Sequence, residues 1–208
     1  MAVNTEIERR FLVDGRYKKP WQAAETILDI TQHYLDWQSV SVHDNKISIQ
    51  GIMLTEILSD ESVILQSFQD WVSRIRIQNN TVIFTAKRKN PDNTTQELEW
   101  ELSIQLENLS LSHLPTVKKT RYCWRDSDGN LWEVDEFEEN LAGLIIAEIE
   151  LDKISQSITI PEWVGIDLTG LKNCSKASLS KTLLNALVLK DSLGPESYAR
   201  FPYQLTHA

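Results

Sequence analysis

The chain has 208 residues, 41% of them hydrophobic and 25% charged, with a formal net charge of −9. This is enough for one domain with a sizeable core. The acidic balance argues against a nucleic-acid or anionic-membrane partner, which would call for a basic surface. Two cysteines, Cys123 and Cys174, are too few for a disulfide scaffold, and no Cys/His spacing resembles a zinc site. With no basic-then-apolar opening pattern and no apolar run of about 18 residues, reduced thiols and a cytoplasmic location are expected.

The dominant period along the chain is two, the strand period. "TEIERRFLV" (5–13) reads as a strand with Glu6, Glu8 and Arg10 on one face. "PWQAAETILD" has a weak helical look, and "ITQHYLDW" reads as a strand again. Residues 36–71 are less regular. "SVSVHDNKISIQG" alternates on both sides of Asp44-Asn45-Lys46, which predicts a hairpin, while "TEILSDESVILQSFQDW" gives no clear element. "VSRIRIQNNTVIFTAKRK" predicts a hairpin around Asn79-Asn80, and "TQELEWELSIQL" alternates once more. "ENLSLSHL" reads as a short helix or loop before Pro115. "TVKKTRYCWRDSDGNLWEVDEFEE" predicts a hairpin turning at Asp128-Gly129. "GLIIAEIELD" is the last clear strand, "PEWVGIDLTG" reads as loop, and 176–191 reads as a helix with Leu179, Leu183 and Leu187 on one stripe. The expected fold is therefore mainly β, eight strands in an antiparallel closed tunnel with a few flanking helices, as a single domain over 1–191. The tail, 192–208, is expected to pack on that domain. Closure is one way for so many antiparallel strands to remove exposed edges.

One face of each strand is almost fully charged. Arg74 and Arg76 alternate with isoleucines; Lys87 follows Thr85; Glu97, Glu99 and Glu101 alternate with Leu98, Trp100 and Leu102. Lys119 and Arg121, Glu133 and Asp135, and Glu148 and Glu150 repeat the pattern. A solvated sheet face would alternate too, but such faces mix in Ser, Thr and Gln, and here the signs segregate by strand. Arginine is suited to forked binding of phosphate oxygens. Carboxylates crowded together repel one another, and a hard divalent cation relieves that repulsion. A metal–polyphosphate complex is the ligand that satisfies both sets.

In their order, these segments resemble the CYTH superfamily, the triphosphate tunnel metalloenzymes that include class IV adenylate cyclases and thiamine triphosphatases. "EIERR" looks like the family's opening ExExK strand, and "QHYL", "RIRI", "FTAKRK", "ELEWEL", "KKTRY", "WEVDEF", "AEIEL" and "PEWVG" look like its later motifs. The opening is most similar to that of the short bacterial inorganic triphosphatases. The resemblance implies a cytoplasmic, Mg²⁺- or Mn²⁺-dependent hydrolase of the terminal phosphoanhydride of a triphosphate, inorganic tripolyphosphate first. Thiamine triphosphatase, adenylate cyclase or a non-catalytic polyphosphate-binding module are the alternatives. It implies Glu6, Glu8, Glu148, Glu150 and Asp135 as metal-site carboxylates and Arg74, Arg76, Lys87, Lys119 and Arg121 as phosphate binders. Tyr34 and Arg10 become the catalytic pair, with Glu97, Glu99 and Glu133 as further tunnel carboxylates. Two departures stand out. Arg10 replaces a lysine, and an arginine cannot act as a base. Where relatives commonly carry Asp-x-Arg-Tyr-x-Asn, this chain has Leu171, Asn173, Cys174 and Lys176. The stretch 36–71 is longer than in the short relatives and reads as a surface insertion, with a lid or a homodimer contact as the other reading.

Overall fold

The computed structural model describes residues 4–92, 94–104, 106–171 and 175–181. It contains β1 (Asn4–Glu6), β2 (Glu8–Val13), β3 (Thr26–Leu35), β4 (Val40–His43), β5 (Lys46–Ile49), β6 (Ile52–Glu56), α1 (Ser59–Gln66), β7 (Val72–Gln78), β8 (Thr81–Lys89), β9 (Thr95–Leu102), β10 (Thr116–Arg125), β11 (Leu131–Phe137), β12 (Ile145–Glu150) and β13 (Val164–Asp167). Ten strands form one antiparallel sheet in the order β1-β9-β8-β7-β3-β10-β11-β12-β2-β13, and β4-β5-β6 form a second.

The expected eight-stranded closed tunnel is corrected on two counts: among the described residues the sheet has ten strands, and its ladder does not run round as a closed barrel. The cause lies in the first segment, which breaks at Ile7. Before the break, Glu6 pairs with Thr95 of β9; after it, Glu8 pairs with Glu150 of β12. One expected strand is thus two, with different partners, at far ends of the ladder. The short β13, read from sequence as loop, adds a further edge strand beside β2.

Hairpin turns fall where turn chemistry placed them. Asp44 and Asn45 both have positive φ between β4 and β5, Asn79 between β7 and β8, and Gly129 between β10 and β11, conformations that Asn, Asp and Gly accept most readily. The helical look of "PWQAAETILD" resolves into one 3-10 turn, Pro20–Ala23, after which β3 starts at Thr26. Its β-branched pair, Thr26 and Ile27, continues the strand period backwards from Ile30. Of the expected helix 176–191, residues 176–181 are helical; the remainder and the tail lie outside the described residues.

Apolar residues opposite the charged ones pack outward. Ile75, Phe84, Ala86, Leu98, Trp100 and Leu102 from β7, β8 and β9 join Ile47, Ile49, Leu54 and Leu65 from the small sheet and α1 in one cluster. Residues 40–66 thus roof the outer face of three strands. Glu61 of α1 is buried there, its carboxylate accepting from Trp100 Nε1 at 3.1 Å and Leu58 N at 3.0 Å. A second cluster, Phe11, Val13, Trp132, Val134, Ala147 and Ile149, packs with Trp21 and with Trp163 on the outside of β2, β11 and β12. Because the strand period is two, this outward packing turns the other face of every strand inward.

Candidate active site

The inward faces enclose a cavity of about 850 Å³. Its lining includes seven cations (Arg10, Arg74, Arg76, Lys87, Lys89, Arg121 and Lys176) and seven carboxylates (Glu6, Glu8, Glu97, Glu99, Glu133, Glu148 and Glu150), with Tyr34 and Gln32 between them. Thirteen of the fifteen residues expected from sequence line it. Lys119 and Asp135 do not. They lie one layer deeper, both wholly buried, paired at 2.5 Å.

That deeper layer is a dense ion cluster. Asp135 also receives Arg121 through Nε at 2.7 Å and Nη2 at 2.9 Å, and Lys176 at 2.9 Å. Glu148 accepts from Arg10 at 2.7 Å, Lys176 at 2.5 Å and Arg121 at 3.1 Å. Burial would raise both carboxyls, but Arg121, Lys119 and Lys176 hold Asp135 far below the usual range, and Lys176 and Arg10 do the same for Glu148. Lys119 is lowered, first by burial and then by Arg121. Beneath the ions the inward face turns apolar. Tyr34, Val117, Phe137 and Ile146 form a cluster on which Ala177 and Leu179 pack.

Nearer the opening, the signs separate. Arg74 and Arg76 project side by side from β7. Arg74 approaches Glu97 and Glu99 only to 3.7 and 3.5 Å, and Arg76 reaches Glu99 at 3.0 Å. The Nε of each arginine is buried and has no hydrogen-bond partner among the described residues. Buried donors left unpaired cost about 1–3 kcal/mol each, so these two are poised for an anion. Opposite them, Glu8 is the register partner of Glu150, and Glu133 of Glu148. Like charges across a ladder repel. Glu150 makes no ion pair with a described residue; burial and then Glu133 raise its pKa. Glu6 is pushed up to about 7 by burial, with Glu97 and Glu150 adding to the effect against Lys87 at 2.5 Å. Burial would raise Glu97 too, but Lys87 and Arg74 hold it at about 2. No three His, Cys, Asp or Glu side chains among the described residues form a ready metal-ligating group. The donor chemistry nevertheless suits a hard divalent cation, because Glu6, Glu8 and Glu150 are oxygen donors lining one cavity and Glu150 has no ion-pair partner among the described residues.

The expected catalytic pair shares the cavity without a side-chain hydrogen bond between its members. Arg10 is committed to Glu148 and to Glu8, the latter at 2.8 Å. Tyr34 lies across the ladder from Arg74 and donates to Gln32 Oε1 at 3.2 Å. Burial pushes its phenol up, against Arg74 and Lys176. Two lining cations are absent from the expected set, Lys89 and, bonded into the ion layer, Lys176. The sequence signal of Lys176 was present as the new cation in the segment that departs from the family pattern, but strand alternation cannot place a residue that does not belong to a strand.

The model described as the CYTH domain matches residues 69–183, more than half of the chain. The chain belongs to the CYTH family. It is 35% identical over 100 residues to the inorganic triphosphatase of Acetivibrio thermocellus, an alignment covering 47% of this chain and 64% of that protein, just under two thirds of its length. It is 27% identical over 116 residues to the inorganic triphosphatase of Nitrosomonas europaea, covering 53% and 75%. A crystal structure of an inorganic triphosphatase superposes with a TM-score of 0.52 at 24% identity, over 86% of this chain and 97% of that one; at that identity the likeness shows the fold. The CYTH domain match begins at residue 69, immediately after the small sheet and α1, and includes β7 to β13. The motifs carrying Glu6, Glu8, Arg10 and Tyr34 precede it.

Proposed function

We propose that this CYTH protein hydrolyses the terminal phosphoanhydride of a triphosphate, with inorganic tripolyphosphate as substrate and Mg²⁺ or Mn²⁺ as cofactor. The observation that carries this reading is the opposition, in one cavity, of two buried guanidinium groups with unpaired Nε donors and a carboxylate cluster with surplus negative charge. A polyanion satisfies the first, and a divalent cation the second. The activity of the two curated relatives points the same way.

In this mechanism Arg74, Arg76, Lys87 and Arg121 bind the phosphate oxygens and neutralise charge that grows on the leaving diphosphate. Glu6, Glu8 and Glu150 would hold the divalent cation, which when bound polarises phosphoryl oxygens and lowers the pKa of water. Asp135 and Glu148, each already held by three cations, support the wall. Tyr34, raised by burial, acts through its phenolate form, which orients the attacking water and takes its proton as the oxygen bonds to the terminal phosphorus. The bridging P–O bond breaks, orthophosphate departs, and the electron pair stays with diphosphate.

A second reading is a module that binds polyphosphate without turnover, favoured by the lack of a side-chain bond between Arg10 and Tyr34. Phosphate release from tripolyphosphate, thiamine triphosphate and ATP, each with Mg²⁺ or Mn²⁺, separates the two. The expected result is release from tripolyphosphate that stops on chelation. Binding by calorimetry without release from any of the three would establish the second reading instead.

A further inference from the structure

Gln32, the first residue of "QHYL", turns inward from β3 on the same face as Tyr34. It lines the cavity, although it is only 1% exposed. A buried primary amide needs partners both for its oxygen and for its N–H groups. The oxygen has one: the Tyr34 hydroxyl donates to Gln32 Oε1 at 3.2 Å. The surroundings dictate the direction of that bond. Arg74 stands across the ladder from Tyr34, and an arginine can only donate, so the acceptor for the Tyr34 proton is the amide oxygen. With Oε1 turned to Tyr34, the nitrogen end of the amide is left to face the cavity, and no described residue accepts from its Nε2. Across the ladder on the other side, Gln32 is opposite Val117 of β10, which has nothing to offer it. On β7 it is opposite Arg76. The amide therefore stands beside the two guanidinium groups whose Nε atoms lack partners. Two cations attract an anion from a wide range of directions, whereas a fixed neutral N–H marks where one oxygen must sit and adds no charge.

We propose that Gln32 is a further phosphate-binding residue. Its Nε2 donates to a non-bridging oxygen of the triphosphate held by Arg74 and Arg76, and Tyr34 fixes the amide in the orientation that allows it. The identity of the anion rests on the triphosphatase reading; the donor set does not.

The test is a double-mutant cycle read by titration calorimetry with inorganic tripolyphosphate, in chelator so that no turnover intervenes. Gln32→Leu is expected to weaken binding roughly tenfold, the worth of a hydrogen bond to a charged acceptor. Most of that loss should persist in the Tyr34→Phe background, because the donor meets the anion itself and does not act through the phenol. Gln32→Met gives the same reading should the leucine variant not fold. Unchanged affinity in the Gln32 variants would overturn the proposal. So would a loss that disappears in the Tyr34→Phe background, which would make Gln32 no more than the acceptor for the phenol. Failure of the metal-free wild type to bind tripolyphosphate would overturn the donor set itself. Gln32-dependent binding in a protein that releases no phosphate with Mg²⁺ or Mn²⁺ would sink the triphosphatase reading and uphold the donor set. Phosphate release by the wild type, with KM and affinity unmoved in Gln32→Leu, would sink the proposal alone.

Discussion

Asp135 is expected to be a stability residue first and a site residue second, and its replacement measures the difference. Its side chain has no exposure, and among the described residues it is the sole ion-pair partner of Lys119, which has none either. Arg121 and Lys176 lean on the same two oxygens but retain Glu148, and Arg121 also keeps Glu133. In Asp135→Ala the cost therefore falls mainly on Lys119, an ammonium stranded away from water. Breaking a buried pair by removing one partner costs about 3–5 kcal/mol. Against a typical total of about 5–15 kcal/mol that is a large fraction, and for a chain of this length it lowers Tm by about 6–20 °C. Urea unfolding at neutral pH, with calorimetry for Tm, reads it. Lys119→Met combined with Asp135→Leu should recover much of the loss, because a well-packed apolar pair can replace a buried ionic one. Burial already lowers Lys119, so the amine has an escape: it sheds its proton. A loss below about 1 kcal/mol in Asp135→Ala would mean that it does, and that the pair is not held by charge.

Three further outcomes are expected. Arg76→Ala weakens tripolyphosphate binding by roughly tenfold to a hundredfold in titration calorimetry, the worth of about one to two charged hydrogen bonds, with a loss of about 1 kcal/mol or less in unfolding, because it gives up the partly exposed pair with Glu99 at 3.0 Å while its Nε has no partner among the described residues to lose; unchanged affinity would remove the arginine pair from the site. In the metal-free protein Glu6 holds its proton to about pH 7 against an ordinary 4.5, so the folded state binds more protons than the unfolded chain between those values and stability falls as pH rises through them. Roughly 1–2 kcal/mol is at stake after allowance for solvent screening, and Glu6→Gln should flatten that part of the Tm-against-pH curve; an identical slope in the variant would assign it to another group. Leu65→Ala, at a fully buried position of α1, costs about 2–5 kcal/mol in urea unfolding, and a cost near zero would mean that the roof over β7–β9 is dispensable to the core.

Where the strand period held, the sequence was legible to the side chain. Arg74 and Arg76, Glu97 and Glu99, and Glu148 and Glu150 face inward because Ile75, Leu98 and Ile149 face out, and turns at Asp44-Asn45, Asn79 and Gly129 fixed the register of three hairpins. What alternation cannot carry is depth along a strand. Glu133, Asp135 and Phe137 share one face of β11, yet one lines the cavity, one is sealed in the ion layer and one belongs to the apolar end. Nor does a local pattern show a change of partner: nothing in "TEIERRFLV" marks Ile7 as the residue where pairing passes from β9 to β12. Lys176 was visible only as a departure from the family, since its position depends on a segment folding back over the end of the sheet.

The arrangement also explains how so many charges sit inside one small protein. The apolar surface that drives folding lies outside the sheet, under the small sheet and α1 on one side and the tryptophan cluster on the other. The inward face contributes little to that burial and is free to be polar. Cost is contained by neutralising the deepest level, where Asp135 and Glu148 take up Lys119, Lys176, Arg10 and Arg121, and by leaving imbalance only nearer the opening. There the repulsion between Glu8 and Glu150 and the unpaired donors of Arg74 and Arg76 persist at a free-energy cost, and a ligand carrying both signs of charge removes both penalties together.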